Sequence, residues 1–281
     1  MIDLKNVSFD YDRRHEVFLD LSLNFRLGHI YGLLGCNGVG KTTMLHLMCG
    51  LLRPDFGQIR VNGFEAGGRS AELFSELVFF PDELRLPDIP LARFAEVTGR
   101  FYPNFSTSDF EQYCAQLGVD AQSRPAHMSL GDRKKSYLAF ALACNARYLL
   151  MDEPTNGLDI PSKAVFRRLL AAYASEDRVV VLATHQVREV EELIDHVVIC
   201  DKKGVALDAS MQTLSECLYF GAVAEDAGAL YRETTLLGDV GVAPNTMGEE
   251  SRPRLELLFN AVASNREGVA RIVNAKTQSH E

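Results

Sequence analysis

A glycine-rich stretch near the start of the chain constrains the fold more than any other part of the sequence. It reads Gly35-Cys36-Asn37-Gly38-Val39-Gly40-Lys41-Thr42-Thr43 and matches the pattern G-x-x-x-x-G-K-[ST]. Glycines let the backbone curl so that successive N–H groups point at phosphate oxygens. Lys41 is expected to reach the β- and γ-phosphates of a nucleotide, and Thr42 to bind Mg²⁺. All nine residues are therefore candidate nucleotide-binding residues.

The stretches that flank this loop have the order that the pattern requires. An apolar strand is predicted at His29–Leu34 and a helix at Lys41–Leu52. A glycine-rich turn that merely caps a helix would leave the preceding strand unexplained. Two alternating stretches, Ile2–Tyr11 and Val17–Phe25, predict an antiparallel pair, and residues 57–63 predict a further strand and turn.

A helical block interrupts the strand pattern between about residues 84 and 146. Its three helices are predicted at Leu91–Phe101, Ser106–Leu117 and Ser129–Asn145. Strands then alternate with helices again, and the predicted elements are Tyr148–Met151, Pro161–Ala174, Val179–Ala183, Val187–Ile194 and Val197–Cys200, of which the second and fourth are helices. The pattern favours an α/β frame with an inserted helical lobe.

The pattern weakens after about residue 218. Leu255, Leu258, Phe259 and Val262 have the spacing of a short amphipathic helix, whereas the last dozen residues are polar and expected to be loose. We therefore predict an ATP-binding domain over residues 1–217 and a C-terminal appendage over residues 218–281, whose role the sequence leaves open.

Two carboxylates end the apolar strand that follows the helical block. Asp152 and Glu153 come directly after Tyr148–Met151, where acids are costly unless a cation or a water network receives them. In a protein with a phosphate-binding loop the first acid is expected to bind Mg²⁺, and Glu153 is a candidate general base for an attacking water. The alternative, that these acids cap the next helix, is weak because Pro154 and the turn 156–159 intervene.

Five motifs in order resemble those of the ATP-binding subunits of ABC transporters, over roughly residues 1–215. They are the glycine-rich loop, a signature-like stretch Met128-Ser129-Leu130-Gly131-Asp132-Arg133, the strand-ending Asp152-Glu153-Pro154, the D-loop-like Asn156-Gly157-Leu158-Asp159 and the switch-like Thr184-His185. Phe101-Tyr102-Pro103-Asn104-Phe105 resembles a stretch of bacterial antibiotic and multidrug exporter ATPases, although it could be a plain aromatic turn.

The resemblance implies a P-loop NTPase core: a mostly parallel sheet with N-terminal antiparallel strands, the inserted helical subdomain and the small C-terminal appendage. It implies ATP and Mg²⁺ as ligands and a head-to-tail dimer, in which Ser129, Leu130, Gly131 and Asp132 face the ATP of the partner subunit. His185 would orient the γ-phosphate and the water beside Glu153, and Asp159 would signal across the dimer. Tyr11 would stack on adenine, unless it is an ordinary strand tyrosine.

Two positions depart from the family pattern. Where the family has a glutamine that contacts Mg²⁺, this chain continues into Asp82, and a carboxylate is a good Mg²⁺ ligand. In the signature, leucine replaces the first glycine and Asp132 replaces the glutamine. Ser129-x-x-Asp132 is also typical of a capping box at a helix start, and both interpretations can hold together. Slow turnover remains open.

Composition and charge narrow the classes of function. There are 29 Lys and Arg against 38 Asp and Glu, a net charge of −9, so we expect no nucleic-acid partner. The basic clusters Arg133-Lys134-Lys135 and Lys202-Lys203 are expected to be solvated. The longest apolar run, Tyr137–Cys144, is far below the roughly 20 residues of a membrane span. The first residues lack a signal-peptide pattern, and the six cysteines lack metal or disulfide spacing.

The resemblance implies an ATP-hydrolysing motor subunit of a membrane transporter, on the cytoplasmic side of the membrane and peripheral to its inner face. Export is favoured, and the expected partners are separate membrane subunits and a second ATP-binding subunit, identical or different. The alternatives are a soluble ATPase of the same type and a weakly hydrolysing nucleotide-dependent regulator. The sequence does not identify the cargo.

Overall fold

The computed structural model describes residues 1–12, 16–68, 70–223, 228–236, 238–249 and 251–277. The strands in these ranges are β1 (Ile2–Asp10), β2 (Glu16–Phe25), β3 (His29–Leu34), β4 (Phe56–Val61), β5 (Phe64–Glu65), β6 (Leu77–Phe80), β7 (Tyr148–Asp152), β8 (Val179–Thr184), β9 (His196–Asp201), β10 (Gly204–Ser210), β11 (Leu218–Ala222), β12 (Tyr231–Thr235) and β13 (Gly238–Pro244). The helices are α1 (Lys41–Met48), α2 (Ala71–Glu76), α3 (Leu91–Gly99), α4 (Thr107–Leu117), α5 (Leu130–Ala143), α6 (Ile160–Tyr173), α7 (Met211–Cys217), α8 (Leu255–Ser264) and α9 (Arg266–Thr277).

A six-stranded sheet forms the centre of the molecule, with the strand order β10-β9-β3-β8-β7-β6. Five neighbouring strands run parallel, and β10 pairs antiparallel with β9 at one edge. The strands β7 and β8 are buried along their whole length, as expected for parallel strands that are covered on both faces. The prediction of an α/β fold with a mostly parallel sheet is confirmed.

The N-terminal strands form a separate antiparallel sheet, with the order β2-β1-β4-β5. Its apolar face packs with α1 on one face of the central sheet, where Leu4, Phe25, Met44 and Leu33 lie in one buried cluster. The other face of the central sheet is covered by the helical block α3–α5 and by α6. Alternate residues of β3 point into the two clusters, so both faces of the sheet are filled.

The C-terminal segment has more regular structure than the sequence predicts. Strands β11, β13 and β12 form a third, antiparallel sheet, and α8 confirms the amphipathic helix predicted at Leu255–Val262. The prediction that the last dozen residues are loose is wrong as far as Thr277, because α9 buries Val269 and Val273 against the same core; residues 278–281 lie outside the described residues. The division into domains at residue 217 stays a prediction.

Two predicted helices differ from the structure. Helix α1 ends at Met48 rather than Leu52, because Gly50 adopts the left-handed φ of 66° and the Leu51 N–H bonds back to the His46 carbonyl at 2.9 Å. The helix predicted at Val187–Ile194 is wrong, since this stretch has a single 3₁₀ turn at Val187–Glu189.

Side-chain contacts explain the short turn at 187–189. Arg188 pairs with Glu256 of α8, and Glu189 pairs with Lys163 of α6 at 2.9 Å. The charged side chains of this stretch are thus directed at neighbouring helices.

Among the helices of the described ranges, none is both long enough and apolar enough to span a bilayer.

Candidate active site

Three sequence motifs meet at one edge of the central sheet. The glycine-rich loop follows β3, the pair Asp152-Glu153 stands at the end of β7, and the pair Thr184-His185 stands at the end of β8. These three strands are neighbours in the sheet. Ligands of open parallel sheets bind outside the carboxyl ends of the strands. A cleft of about 1050 Å³ lies there, and its lining residues are Tyr11, Val17, Asn37, Gly38, Val39, Gly40, Lys41, Thr42, Thr43, Asp82, Asp152, Glu153, Asn156, His185 and Lys202.

The loop leads directly into α1 through Gly40. This residue has a φ of 100°, and a Cβ there would lie 2.8 Å from the side chains of Phe18 and Val17, so only glycine fits. Lys41 Nζ donates to the carbonyls of Gly35 at 2.7 Å and Cys36 at 3.1 Å, so its ammonium lies inside the loop. Burial lowers the pKa of Lys41, while the charges of nearby carboxylates oppose the shift.

Thr42 and Asp152 form the predicted metal-binding pair. The Thr42 hydroxyl donates to Asp152 Oδ2 at 2.7 Å. Burial raises the pKa of the Asp152 carboxyl, and the charges of Glu153 and Asp82 add to the rise. Within the described ranges no three His, Cys, Asp or Glu side chains form a metal site by themselves. Mg²⁺ that also binds phosphate oxygens and water needs only one or two protein carboxylates, and Thr42 with Asp152 fits that requirement.

Glu153 is held more tightly than any other acid of the cleft. Its carboxylate accepts from the Thr184 hydroxyl at 2.8 Å and from the His185 backbone N–H at 3.1 Å. His185 Nδ1 lies 2.6 Å from Glu153 Oε1, a contact in which only the imidazole can donate to an ionised carboxylate. The backbone of Glu153 has a φ of 43°, in the left-handed region that side chains disfavour. The switch-like residues therefore orient the candidate base directly.

Tyr11 lies at the rim of the cleft, on the side of α1. Its ring is 60% exposed, and its hydroxyl lies 3.0 Å from Thr43 Oγ1. The ring packs edge-on against Phe9. An exposed aromatic face beside the phosphate loop is available for stacking, and the assignment of Tyr11 to adenine stays a prediction.

Asp82 lies in the cleft, but its carboxylate has a protein partner. Lys134 Nζ donates to Asp82 Oδ1 at 2.7 Å and to the Glu153 carbonyl at 3.1 Å. The side chain of Lys134 is only 1% exposed. The expectation that the cluster at 133–135 is solvated is therefore wrong for Lys134, because it lies on the inner face of α5. The assignment of Asp82 to the metal stays a prediction.

The signature-like residues form the start of α5. Ser129 is the N-cap: its hydroxyl accepts from the Asp132 N–H at 3.1 Å and donates to the Asp132 carboxylate at 2.8 Å. The predicted capping interaction is confirmed. Leu130 is half exposed, and a Cβ at Gly131 would lie 2.8 Å from the Gly157 carbonyl, so the signature-like and D-loop-like residues touch within one chain. Contact with a partner's ATP stays a prediction.

Asp159 caps the start of α6, as Ser129 caps the start of α5. Its carboxylate accepts from the Ser162 N–H at 2.8 Å, and hydrogen bonds from the Ser162 hydroxyl and N–H lower the pKa of the Asp159 carboxyl. Asp159 is exposed. Its role in signalling across a dimer stays a prediction.

Three cleft residues had no assigned role in the sequence. Val17 packs beside Gly40, Lys202 follows β9, and Asn156 faces Asp82 with its side-chain amide 3.3 Å from Oδ1. Lys202 could have been anticipated, because β9 is parallel to β3 and ends at the same edge. Lys202 is exposed, as expected, and it is exposed in the cleft.

The sequence model of the ABC transporter family matches residues 18–156. The ABC transporter ATP-binding protein NatA of Bacillus subtilis is 32% identical over 204 residues, which cover 70% of this chain and 83% of NatA. The Nod factor export ATP-binding protein I of Rhizobium leguminosarum bv. viciae is 32% identical over 208 residues, 71% of this chain and 66% of that protein. The matched stretch contains the glycine-rich loop and both strand-ending acids.

A solved structure has the same fold. It is a dimeric ATP-binding cassette in a post-hydrolysis state, bound to ADP and Pi, and superposes with a TM-score of 0.64 at 21% identity. The match covers 75% of this chain and 98% of that one. The fold of the core is thereby established independently of the motifs.

Proposed function

We propose a function for this chain from its family, because it belongs to the ATP-binding proteins of ABC transporters. The chain binds ATP with Mg²⁺ and hydrolyses it, and the resulting opening and closing of a dimer drives a membrane transporter. The observation that carries this proposal is the convergence of Lys41, the Thr42–Asp152 pair and the His185–Glu153 pair on one cleft.

The loop and α1 would bind the triphosphate. Backbone N–H groups of residues 35–43 and the helix N-terminus provide an anion site, and Lys41 adds a positive charge at its centre. Thr42 and Asp152 would hold Mg²⁺, whereas Asp82, the further contact predicted from the sequence, is paired with Lys134 at 2.7 Å. When bound, this ion would neutralise charge on the transferring phosphoryl group. Tyr11 would cover the adenine ring.

Glu153 would act as the general base. Its carboxylate accepts the proton as a water attacks the γ-phosphorus, and the bond from that phosphorus to the bridging oxygen of ADP breaks. His185 keeps Oε1 of Glu153 in a fixed direction at 2.6 Å. The side chain of His185 is 43% exposed and lines the cleft, and its other nitrogen would face the γ-phosphate.

The second half of the ATP site would come from another subunit. Ser129, Gly131 and the N-terminus of α5 present a second helix start to the surface, which is a suitable anion site for a γ-phosphate. Asp159 would lie at the same interface. We propose a head-to-tail dimer, and the solved relative bound to ADP and Pi is itself dimeric. The second subunit can be identical or different.

Export is the direction that the relatives favour. The Rhizobium relative is named for Nod factor export, and this chain is 32% identical to it. We propose that separate membrane subunits carry the cargo path and that this chain docks on them from the cytoplasm, at the inner face of the membrane. No nucleic-acid partner is proposed. The cargo would be chosen by the membrane subunits.

A weakly hydrolysing regulator is the second candidate. It is favoured by one observation: the signature-like start of α5 has Leu130 in place of glycine and an acid, Asp132, in its first turn. Both features would weaken the closed dimer. A third reading, a soluble ATPase of the same family, has no such observation in its favour.

The test is Mg²⁺-dependent phosphate release, measured with the purified chain alone and with the membrane proteins that co-purify with it. We expect hydrolysis in the wild type, and we expect Glu153→Gln to bind ATP but to lose hydrolysis by about a hundredfold or more. This variant should accumulate as an ATP-bound dimer in size-exclusion chromatography. Absence of hydrolysis under both conditions contradicts the motor and supports the regulator.

A control variant at another acid makes the test specific to Glu153. Asp109→Asn changes a first-turn acid of α4, outside the cleft, and should hydrolyse ATP like the wild type. If Glu153→Gln also turns over at the wild-type rate, Glu153 is not the base.

A further inference from the structure

We propose that Lys134 is a positioning residue for the candidate base Glu153, and that Asp82 holds Lys134 in place. The inference rests on the proposed ATPase activity for its kinetic consequences. It gives Asp82 a different task from the metal contact predicted from the sequence. It is carried by a hydrogen-bond network that joins α5, the segment after β6 and the end of β7.

Lys134 is buried with its charge paired. Its side chain is 1% exposed, and its ammonium donates to Asp82 Oδ1 at 2.7 Å and to the Glu153 carbonyl at 3.1 Å. A buried ammonium is costly unless it is paired and hydrogen-bonded. The side chain of its partner Asp82 is 40% exposed. Lys134 is therefore the buried member of this ion pair.

The contact with Glu153 is made at a strained point of the backbone. The left-handed φ of 43° at Glu153 is disfavoured for a residue with a side chain and persists only where the surroundings hold it. Its N–H donates to the Ala183 carbonyl at 2.8 Å, and its carbonyl accepts from the Asn156 N–H at 3.1 Å and from Lys134. Lys134 is therefore the side chain that fixes the peptide group following the base.

The side chain of Glu153 is fixed by other residues. Thr184 at the end of β8 and the following His185 hold its carboxylate, whereas Lys134 on α5 holds its carbonyl. The direction of the carboxylate follows from both restraints. A small rotation of the backbone at this residue would move the carboxylate away from a water at the γ-phosphate, and misplacement by about 1 Å can cost about a hundredfold in rate.

The same network reaches the start of α5. Lys134 lies in the first turns of α5, two residues after Asp132 and five after the N-cap Ser129, and Asn156 Nδ2 also reaches Asp82 at 3.3 Å. A movement of the helical block relative to the central sheet would therefore change the restraint on Glu153. In this way the position of the signature-like residues becomes coupled to the base within one chain.

The experiment compares Asp82→Asn, Lys134→Met and the double variant. Methionine keeps the apolar length of Lys134 and removes its charge. We expect each single variant to lower kcat by about tenfold to a hundredfold while KM for ATP changes by less than about threefold. The double variant should be no slower than Lys134→Met, because both changes break one unit.

Lys135→Met is the matched control. It has the same substitution on the same helix, but Lys135 pairs with Asp132 at 2.7 Å instead of Asp82. Because Lys135 pairs with Asp132 and not with Asp82, the kcat of this variant at saturating ATP should fall by less than about threefold, well short of the loss expected for Lys134→Met. If Lys134→Met fails to fold, Asp82→Asn tests the same ion pair from its exposed end.

Two measurements independent of turnover decide the proposal. Hydrogen exchange of residues 153–158 should be faster in Asp82→Asn and Lys134→Met than in Lys135→Met. The dissociation constant of Mn²⁺ from the ATP-bound protein should be unchanged within about twofold in Asp82→Asn. Unchanged exchange, or Mn²⁺ binding weakened about tenfold, overturns the proposal even when hydrolysis is normal. A wild type without hydrolysis contradicts the proposed function alone.

Discussion

Two helices of this chain begin where a phosphate group is expected, and their first turns differ. Helix α1 begins after Gly40, which has no side chain to cap it, and the first turn of α1 contains no acid. Helix α5 begins after Ser129, whose hydroxyl accepts from the Asp132 N–H, and Asp132 adds a carboxylate. The N–H groups of α1 are left to a ligand, whereas one of those of α5 is already used by the chain.

The difference indicates how one physical principle can support a strong and a weak site. Both helix dipoles attract an anion at the N-terminus. At α1 the buried Lys41 increases that attraction, but at α5 the Asp132 carboxylate opposes it. Hydrogen bonds from Lys135 and Ser129 lower the pKa of Asp132, so the opposing charge persists at neutral pH. We expect binding at α1 and only conditional engagement at α5.

The largest expected effect is at α1. Lys41→Ala removes the cation inside the loop and should weaken nucleotide binding by about a hundredfold, because charge-assisted bonds to phosphate are lost. Titration with a fluorescent ATP analogue measures the change. Lys202→Ala, at the exposed rim of the same cleft, should weaken binding by less than about fivefold. Equal effects of the two variants would contradict the difference between a loop cation and a rim cation.

Alkylation of Cys36 should come next in size. This thiol is exposed within the loop, and the other five cysteines are buried. A maleimide should therefore react there first and block nucleotide binding in the labelled fraction, and prior addition of ATP should slow the reaction. Cys36→Ala should keep nucleotide binding in the presence of the reagent. Equal sensitivity of Cys36→Ala would locate the inactivating reaction elsewhere.

A smaller effect is expected at α5. In the Glu153→Gln background, Asp132→Asn should lower the ATP concentration for half-maximal dimerisation by about threefold to fivefold, since a charge near the phosphate is removed. Light scattering against ATP concentration measures it. Asp109→Asn is the control, because Ser106 and Asp109 form the same capping arrangement at α4. An unchanged or raised midpoint in Asp132→Asn would show that this acid does not oppose closure.

The smallest effect concerns stability. Ser129→Ala removes the cap of α5 and should lower the free energy of unfolding by about 1 kcal/mol, measured by urea denaturation. Ser106→Ala at α4 should cost a similar amount and leave ATP-dependent dimerisation unchanged. If Ser129→Ala also leaves dimerisation unchanged, the hydroxyl serves the helix alone.

Much of the site could be predicted because its residues are coded locally. The loop 35–43, the Asp152-Glu153 pair and Thr184-His185 each follow an apolar strand, and parallel strands place their carboxyl ends together. Helical periodicity likewise predicted α3, α4 and α5 to within a few residues. Such signals depend only on neighbours in sequence.

The remainder depends on contacts between distant residues. In the sequence, Lys134 stands between two other basic residues, as a solvated lysine often does. Only the packing of α5 against the sheet buries it. The strands β11–β13 are short and rich in glycine and polar residues, so their pairing leaves little periodicity. Helix α9 carries only a short apolar stripe, Val269, Ile272 and Val273, whose burial depends on α7, β10 and α8. The stretch Val187–Ile194, predicted as a helix, forms only a short turn whose charged side chains pair with α6 and α8.

The left-handed backbone at Glu153 has a consequence for how this position can vary. Asparagine and glycine tolerate that conformation better than glutamate, so folding alone would favour either of them there. A glutamate at this point keeps the molecule slightly less stable than it could be, as is common where activity requires strain. Glutamine has the same shape and backbone preference, so Glu153→Gln changes the chemistry and leaves that trade-off between stability and function intact.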